Sequence, residues 1–190
     1  MLASLKTVGK GEPMKPLYVA VHPDIKPLNQ QRIMQRKAAR AIAMRGERIL
    51  LLYTERYHDY SLPGGGLESN EDVLMGMIRE LQEETGAQNV RNIQPFGLYQ
   101  EFRPWHKQQD KQQEADVIHM VSYCYCCEVD EKLGQTQLEN YEQRNGMKPM
   151  WVNIHEAIAH NEQTLLNDSR KGMSIERETY LLRLIAKTLH

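Results

Sequence analysis

The order of elements along this 190-residue chain predicts a single α/β domain with a mixed sheet. Three observations carry the expectation. Short apolar stretches bounded by turn residues recur from LYVAV to MKPMWVNI, as strands require. Two longer segments, near residues 70–85 and 175–189, place apolar residues at helical spacing instead. The length suits one domain with a sizeable core and is short for two.

The elements follow in order. Residues 1–36 carry prolines at 13, 16, 23 and 27, which favours an extended N-terminal extension with one short strand at LYVAV. This extension is expected to wrap the domain or to contribute to a homodimer. KAARAIAM and ERILLLYTER read as two strands joined at Arg45-Gly46. A glycine-rich turn, LPGGGLES, leads into a helix from about Asn70 to Thr85. Ser69 or Asn70 is expected to cap it, with Glu71 and Asp72 in the first turn, where the helix dipole favours negative charge. Leu74, Ile78, Leu81 and Thr85 form its inward face, and Gly86 stops it. NVRNIQPFGLYQEF reads as a strand, HKQQDKQQEA as a polar loop, and DVIHMVSYCYCCEV as a long strand ending near Asp130. A second polar stretch, residues 130–146, precedes the strand MKPMWVNI. HEAIAHNEQ begins a short helix, and a closing helix turns Tyr180, Leu181, Leu184, Ile185 and Leu189 inward.

Composition excludes several classes. A formal charge of −1 gives no reason to expect a nucleic-acid polymer or an anionic membrane as partner. No stretch approaches the roughly 18 apolar residues of a membrane span. The first residues lack the continuous apolar core of a signal peptide, so a cytoplasmic location is expected. The three cysteines, Cys124, Cys126 and Cys127, sit in one strand, too odd in number and too tightly spaced for a disulfide framework. They read as small apolar residues of a buried strand in a reducing compartment.

RELQEETGA, residues 79–87, presents an electrostatic problem. At about 100° per residue, Arg79, Glu80, Glu83 and Glu84 fall within one arc of about 140°. Glu80–Glu83 and Glu80–Glu84 are helix neighbours, and like charges at that spacing destabilise a helix by roughly 0.2–0.5 kcal/mol each. Such a face also points several carboxylate oxygens into a common volume, the donor set that hard divalent cations take. Arg79 stands eight residues after Glu71, about two turns along the same side. It reads as an organiser that holds a neighbouring carboxylate by a bidentate contact.

Taken with the turn before it, residues 65–87 resemble the Nudix hydrolase signature, G-x5-E-x7-R-E-U-x-E-E-x-G-U, with U a bulky aliphatic residue. Gly65, Glu71, Arg79, Glu80, Leu81, Glu83, Glu84 and Gly86 match at the family spacing. Ala87 departs from it at a position that packs rather than reacts. The surrounding strands and helices extend the resemblance over residues 37–190. It implies a Nudix-type α/β/α sandwich. It also implies Mg2+, or alternatively Mn2+, held by Glu80, Glu83, Glu84 and the Gly64 carbonyl, with Glu80 or Glu83 deprotonating the attacking water. Gly65, Glu71, Arg79 and Gly86 would be structural. The implied reaction is hydrolysis of a pyrophosphate bond, by metal-activated water, in a small-molecule nucleoside diphosphate linked to another group.

A further carboxylate is expected from Glu101, Glu114, Glu139 or Glu142, with Glu142 preferred for its position before MKPMWV. Arg103, Trp105 and His106 are candidates for substrate contact, with Trp105 stacking on a base. His58 and Tyr60, just before the glycine turn, read as structural in preference to substrate-lining. Pro104 falls near a proline that ADP-ribose-cleaving members often carry. Two rivals remain at this level. One is a non-catalytic nucleotide-binding module on the same fold. The other is an isomerase of prenyl diphosphates, which needs an acid–base pair that the strand-buried cysteines are poorly placed to supply.

Overall fold

The sheet is built around strands whose residues alternate between two buried faces. In the computed structural model, which describes residues 14–28, 31–105, 115–169 and 171–189, seven strands and four helices follow one another. They are β1 (Pro16–Val21), β2 (Ile33–Arg45), β3 (Arg48–Thr54), β4 (Asp59–Ser61), α1 (Val73–Thr85), β5 (Arg91–Pro104) and β6 (Val117–Glu128). After them come α2 (Asn140–Arg144), β7 (Met147–Asn153), α3 (Ile154–Asn167) and α4 (Ile175–Thr188). The strand order is β1-β5-β6-β2-β3-β4, with β7 on β3. β1 runs parallel to β5 and β2 parallel to β6, while the remaining pairs are antiparallel. The sheet is therefore mixed, as expected. β2 and β3 meet through the Arg45–Arg48 turn, and Gly46 takes a φ of 56° there.

Two cores lie on opposite faces of the sheet. Ile42, Ile49, Leu51 and Cys124 pack against Ile154, Ala157, Leu181, Leu182 and Ile185 of α3 and α4. Ala39, Ala41, Ala43 and Leu50 pack against Met77 and Leu81 of α1. Small alanines at every second position of β2 let α1 lie close to the strand. The run of apolar residues in β3 reflects burial on both of its faces. Cys124 and Cys127 are buried, Cys126 is half-buried, and all three are free thiols.

The structure corrects several expectations. Helix α1 starts later than Asn70, because Asp72 caps it by accepting from Leu74 N at 3.0 Å and Met75 N at 3.2 Å. Neither Ser69 nor Asn70 is the cap, and Glu71 lies outside the helix, where Arg79 binds its carboxylate. The inward face centres on Met77, Leu81 and Thr85, with Leu74 and Ile78 at its margins. Leu189 is 42% exposed because α4 ends at Thr188. Gly86 does end α1, with a φ of 69° and its N–H donated to Gln82 O. Strand β4 and helix α2 were not foreseen. The turn between Thr54 and Asp59 brings three residues back onto β3, and α2 folds within the polar stretch 130–146.

One buried ion network ties the sheet to α4. Arg177 reaches Glu101 Oε1 at 2.7 Å and Glu178 Oε1 at 2.8 Å, and Glu178 also accepts from Leu62 N at 2.9 Å. Glu101 is therefore a structural partner of Arg177. Removing one member of a buried pair leaves the other charge uncompensated. Arg177→Leu is accordingly expected to lower the unfolding free energy by about 3–5 kcal/mol in urea denaturation. A loss below about 1 kcal/mol would show that Glu101 and Glu178 find other partners.

Candidate active site

The glycine turn is held against the stretch of β2 that β3 leaves unpaired. Ala41 N donates to Pro63 O at 2.9 Å, Ala39 N to Gly65 O at 3.0 Å and Leu67 N to Lys37 O at 3.0 Å. So close an approach leaves no room at Gly64, where a Cβ would collide with the Ala39 carbonyl and φ is 134°. At Gly65 a Cβ would come within 2.5 Å of Glu80 Oε2. The turn thus lies directly beside the acidic face of α1. Gly64 N donates to Glu84 Oε2 at 2.6 Å, a contact that pins turn to helix.

Arg79 binds three of the motif's carboxylates. Its Nε and Nη2 hold both oxygens of Glu71, at 2.8 and 3.0 Å, and Nη1 reaches Glu80 Oε1 at 2.8 Å and Glu83 Oε2 at 3.1 Å. Glu71 also accepts from Glu68 N at 2.9 Å. The Arg79 hydrogen bonds, followed by that backbone bond, hold the Glu71 carboxyl down at about 2. The expected bracing role of Glu71 and Arg79 has this geometry behind it.

A pocket of about 160 Å³ opens beside them, lined by Gly65, Gly66, Glu80, Glu83, Glu84, Gln137, Glu139, Tyr141 and Glu142. Burial pushes the Glu84 carboxyl up to about 8, against the pull of the Gly64 N–H and Arg40, with Glu142 and Glu80 adding to the rise. Burial likewise raises Glu80, opposed by Arg79. Five carboxylates around one small volume, with Arg79 touching two of them, leave an excess of negative charge. Oxygen donors of that kind fit a hard divalent cation. Among the described residues no three side chains already close around one point, since Arg79 draws Glu80 and Glu83 to its side. The Gly64 carbonyl accepts from Arg40 Nη1.

The other candidates separate. Glu142 and Glu139 line the pocket, and Glu142 is buried, accepting from Glu139 N at 2.7 Å and Tyr141 OH at 2.9 Å. Arg103 and Trp105 do not line it. Arg103 lies 3.9 Å from Glu101 on the sheet, and Trp105 lies under the Arg36 guanidinium, 5.7 Å from its ring centroid. His58 pairs with Asp168 at 3.3 Å, and Tyr60 packs on Tyr53 and His160, so both stand apart from the pocket. Ala87 is buried in the α1 core, the packing role expected of it. His106 and Glu114 lie outside the described residues. Gln137, Tyr141 and Arg40 were not singled out from sequence. A lone arginine within the apolar run AARAIAM was the available signal for Arg40. A larger hollow of about 340 Å³, near Asp24 and Asp116, shares no lining residue with the carboxylate pocket.

Comparisons with known proteins give the family and the fold. The NUDIX domain family model matches residues 34–173. The chain belongs to the NUDIX family. Nudix hydrolase 13, mitochondrial, of Arabidopsis thaliana is 29% identical over 113 residues, 58% of this chain and 51% of that protein. Nudix hydrolase 12, mitochondrial, of the same plant is 26% identical over 110 residues, 58% of this chain and 50% of that protein. The chain therefore spans about half the length of the curated relatives it matches. A NUDIX hydrolase structure from Nitrosomonas europaea superposes with a TM-score of 0.54 at 16% identity, covering 81% of this chain and 91% of that one. That likeness shows the fold.

Glu71 gives a pH test of the brace. Its carboxyl is lowered in the folded state, so the Arg79 contact stabilises fully above the unfolded value near 4.5 and fades as pH falls towards about 2. The stability gap between wild type and Glu71→Gln, read by thermal melts, is expected to be constant above pH 5 and to narrow below it. A gap that stays constant from pH 5 to pH 2.5 would sink the assignment.

Proposed function

We propose that this NUDIX-family protein hydrolyses a pyrophosphate bond in a nucleoside diphosphate linked to another group. The observation that carries the reading is the carboxylate pocket, set against Gly64–Gly66 and braced by the Arg79–Glu71 contact. Glu80, Glu83, Glu84 and, once Arg40 gives it up, the Gly64 carbonyl would hold a divalent cation, Mg2+ in our reading with Mn2+ as substitute. Bound there, the cation would supply charge neutralisation on phosphate oxygens and acidify water.

The protein's own groups then divide the remaining work. A water oxygen attacks phosphorus, the bridging P–O bond breaks, and the attacking water's proton passes to a carboxylate. Glu83 is better placed for this than Glu80, because its side chain is 40% exposed against 14% and so meets solvent. Glu84, fixed by Gly64 N, keeps the turn and the helix in register during turnover. Arg79 holds Glu80 and Glu83 to one wall of the pocket. We also place the protein in a reducing compartment, the cytoplasm in our reading. The three free cysteines support this, since disulfides persist in oxidising compartments.

A panel of nucleoside diphosphate derivatives with Mg2+ tests the function. The expected product is a nucleoside monophosphate with its phosphorylated partner. Glu83→Gln is expected to cut kcat by about 10²-fold or more, the usual contribution of a general base. Glu84→Gln should weaken Mg2+ binding in a thermal-shift titration without substrate. Full activity in both variants, or no turnover of any compound, defeats the proposal.

A further inference from the structure

The face of the sheet beyond the glycine turn carries an excess of positive charge that the reaction above does not use. In β2, Arg36 and Arg40 lie opposite Met120 and Cys124 of β6, and Arg103 of β5 lies opposite Ile118. Residues paired in this way, an even number of positions apart along each strand, share one face. All three arginines therefore project on the side that carries Glu101 and meets α4.

Their neighbours leave them short of counter-charge. Glu101 is the nearest carboxylate to Arg103 at 3.9 Å, but Arg177 already holds it at 2.7 Å. Glu178 is taken by Arg177 and Leu62 N. Arg36 is exposed, its guanidinium over Trp105, and no carboxylate pairs with it among the described residues. Arg40 is half-buried and donates to the Gly64 carbonyl, with Glu84 as its acidic neighbour, and its Nε is buried with no partner. Burial lowers the Arg103 pKa against the pull of Glu101, and repulsion from Arg177, Arg36 and Arg40 adds to the fall. Mutually repelling guanidinium groups on one half-open face match phosphate oxygens in both charge and fork geometry.

Position gives the site its relation to the pocket. Arg40 touches Gly64, the residue that also binds Glu84, so the row of arginines starts at the carboxylate site. Arg36 lies four residues further along β2, about 13 Å at roughly 3.3 Å per residue. A lone diphosphate at the glutamates does not reach so far.

We propose that Arg36, Arg40 and Arg103 form an anion track for substrate phosphates beyond the scissile diphosphate, so that preferred substrates carry three or more phosphates. The assignment rests on the pyrophosphohydrolase reading for the word substrate and on this geometry alone for the anion. Two sources share the chemistry, a nucleoside polyphosphate with its base near Trp105 and a multiply phosphorylated compound without a base.

Calorimetry on the full chain in metal-free buffer separates the two ideas, because binding is then read without turnover. Inorganic tripolyphosphate is expected to bind at least tenfold more tightly than pyrophosphate, and the advantage should shrink with added salt. Arg36→Gln and Arg103→Gln should each weaken tripolyphosphate about tenfold, the scale of one charge-assisted hydrogen bond, with pyrophosphate little changed. Arg103→Lys guards against misfolding, since it keeps the charge and should retain part of the affinity. Adenosine tetraphosphate binding more tightly than tripolyphosphate, with the gain lost in Trp105→Ala, assigns the base-bearing source. Equal affinity of those two anions assigns the other source. Equal affinity for tripolyphosphate and pyrophosphate, or no loss in either glutamine variant, overturns the track. Tight tripolyphosphate binding without hydrolysis of any compound in the Mg2+ panel supports the track and overturns the hydrolase reading instead.

Discussion

The Arg79 guanidinium is the point where turn, helix and pocket meet. It grips both oxygens of Glu71 from the turn and one oxygen each of Glu80 and Glu83 on its own helix. Without a cation at that place, the glutamates at helical spacing would repel one another, and Glu80 and Glu83 would lose the donor that orients them. The grip also fixes Glu71 against Glu68 N, which shapes the end of the turn. The start of the turn is fixed independently, by Ala41 N and Ala39 N of β2, which donate to the Pro63 and Gly65 carbonyls. Gly64 lies between these anchors, and its N–H is thereby aimed at Glu84. A strand, a turn and a helix are thus locked into one unit, and the carboxylate pocket is the space left among them.

Alternation along β2 gives that unit two sides. Ala39, Ala41 and Ala43 face α1, and their small size lets the acidic helix approach the strand. Arg36, Arg40 and Ile42 face the other way, towards the layer of α3 and α4. A one-residue slip in β2 would exchange these sets, placing arginines under α1 and alanines on the open face. The eleven-residue parallel ladder with β6, from Ile33–Val117 to Ala43–Cys127, holds the register.

Much of this was legible in the residues because it is local. The spacing of Gly65, Glu71, Arg79 and the three glutamates sits within one turn and one helix, so sequence distance translates directly into spatial distance. The strands were visible for a similar reason, as runs between glycines, prolines and polar stretches. The helix start misled because Ser69, Asn70 and Asp72 are all competent caps, and only the tertiary grip on Glu71 selects Asp72. Helix α2 was hidden because its five residues stand in a polar segment without apolar periodicity. Glu101 looked like a candidate ligand until the fold brought Arg177 to it across 76 positions of sequence. Such long-range pairing leaves no periodic trace. Arg40 was missed on the same ground, since its partner at Gly64 comes from the turn rather than its own strand.

Gly64 therefore separates two regions of opposite and unbalanced charge. On one side, burial and neighbouring carboxylates raise Glu84 to about 8, a sign that its charge is only partly offset by Gly64 N–H and Arg40. On the other side, three arginines crowd one another with one shared carboxylate within 4 Å of Arg103. Each region is costly by itself, and each lacks what a cation–polyphosphate pair carries. Such a pair presents positive charge to the glutamates and negative charge to the arginines at the same moment. The carboxylate side belongs to the signature motif, and so it fixes the chemistry that a NUDIX member offers. The arginine side belongs to β2 and β5 of this chain, outside the motif, and under the proposed anion track it is there that substrates with further phosphates would be told from simple diphosphates.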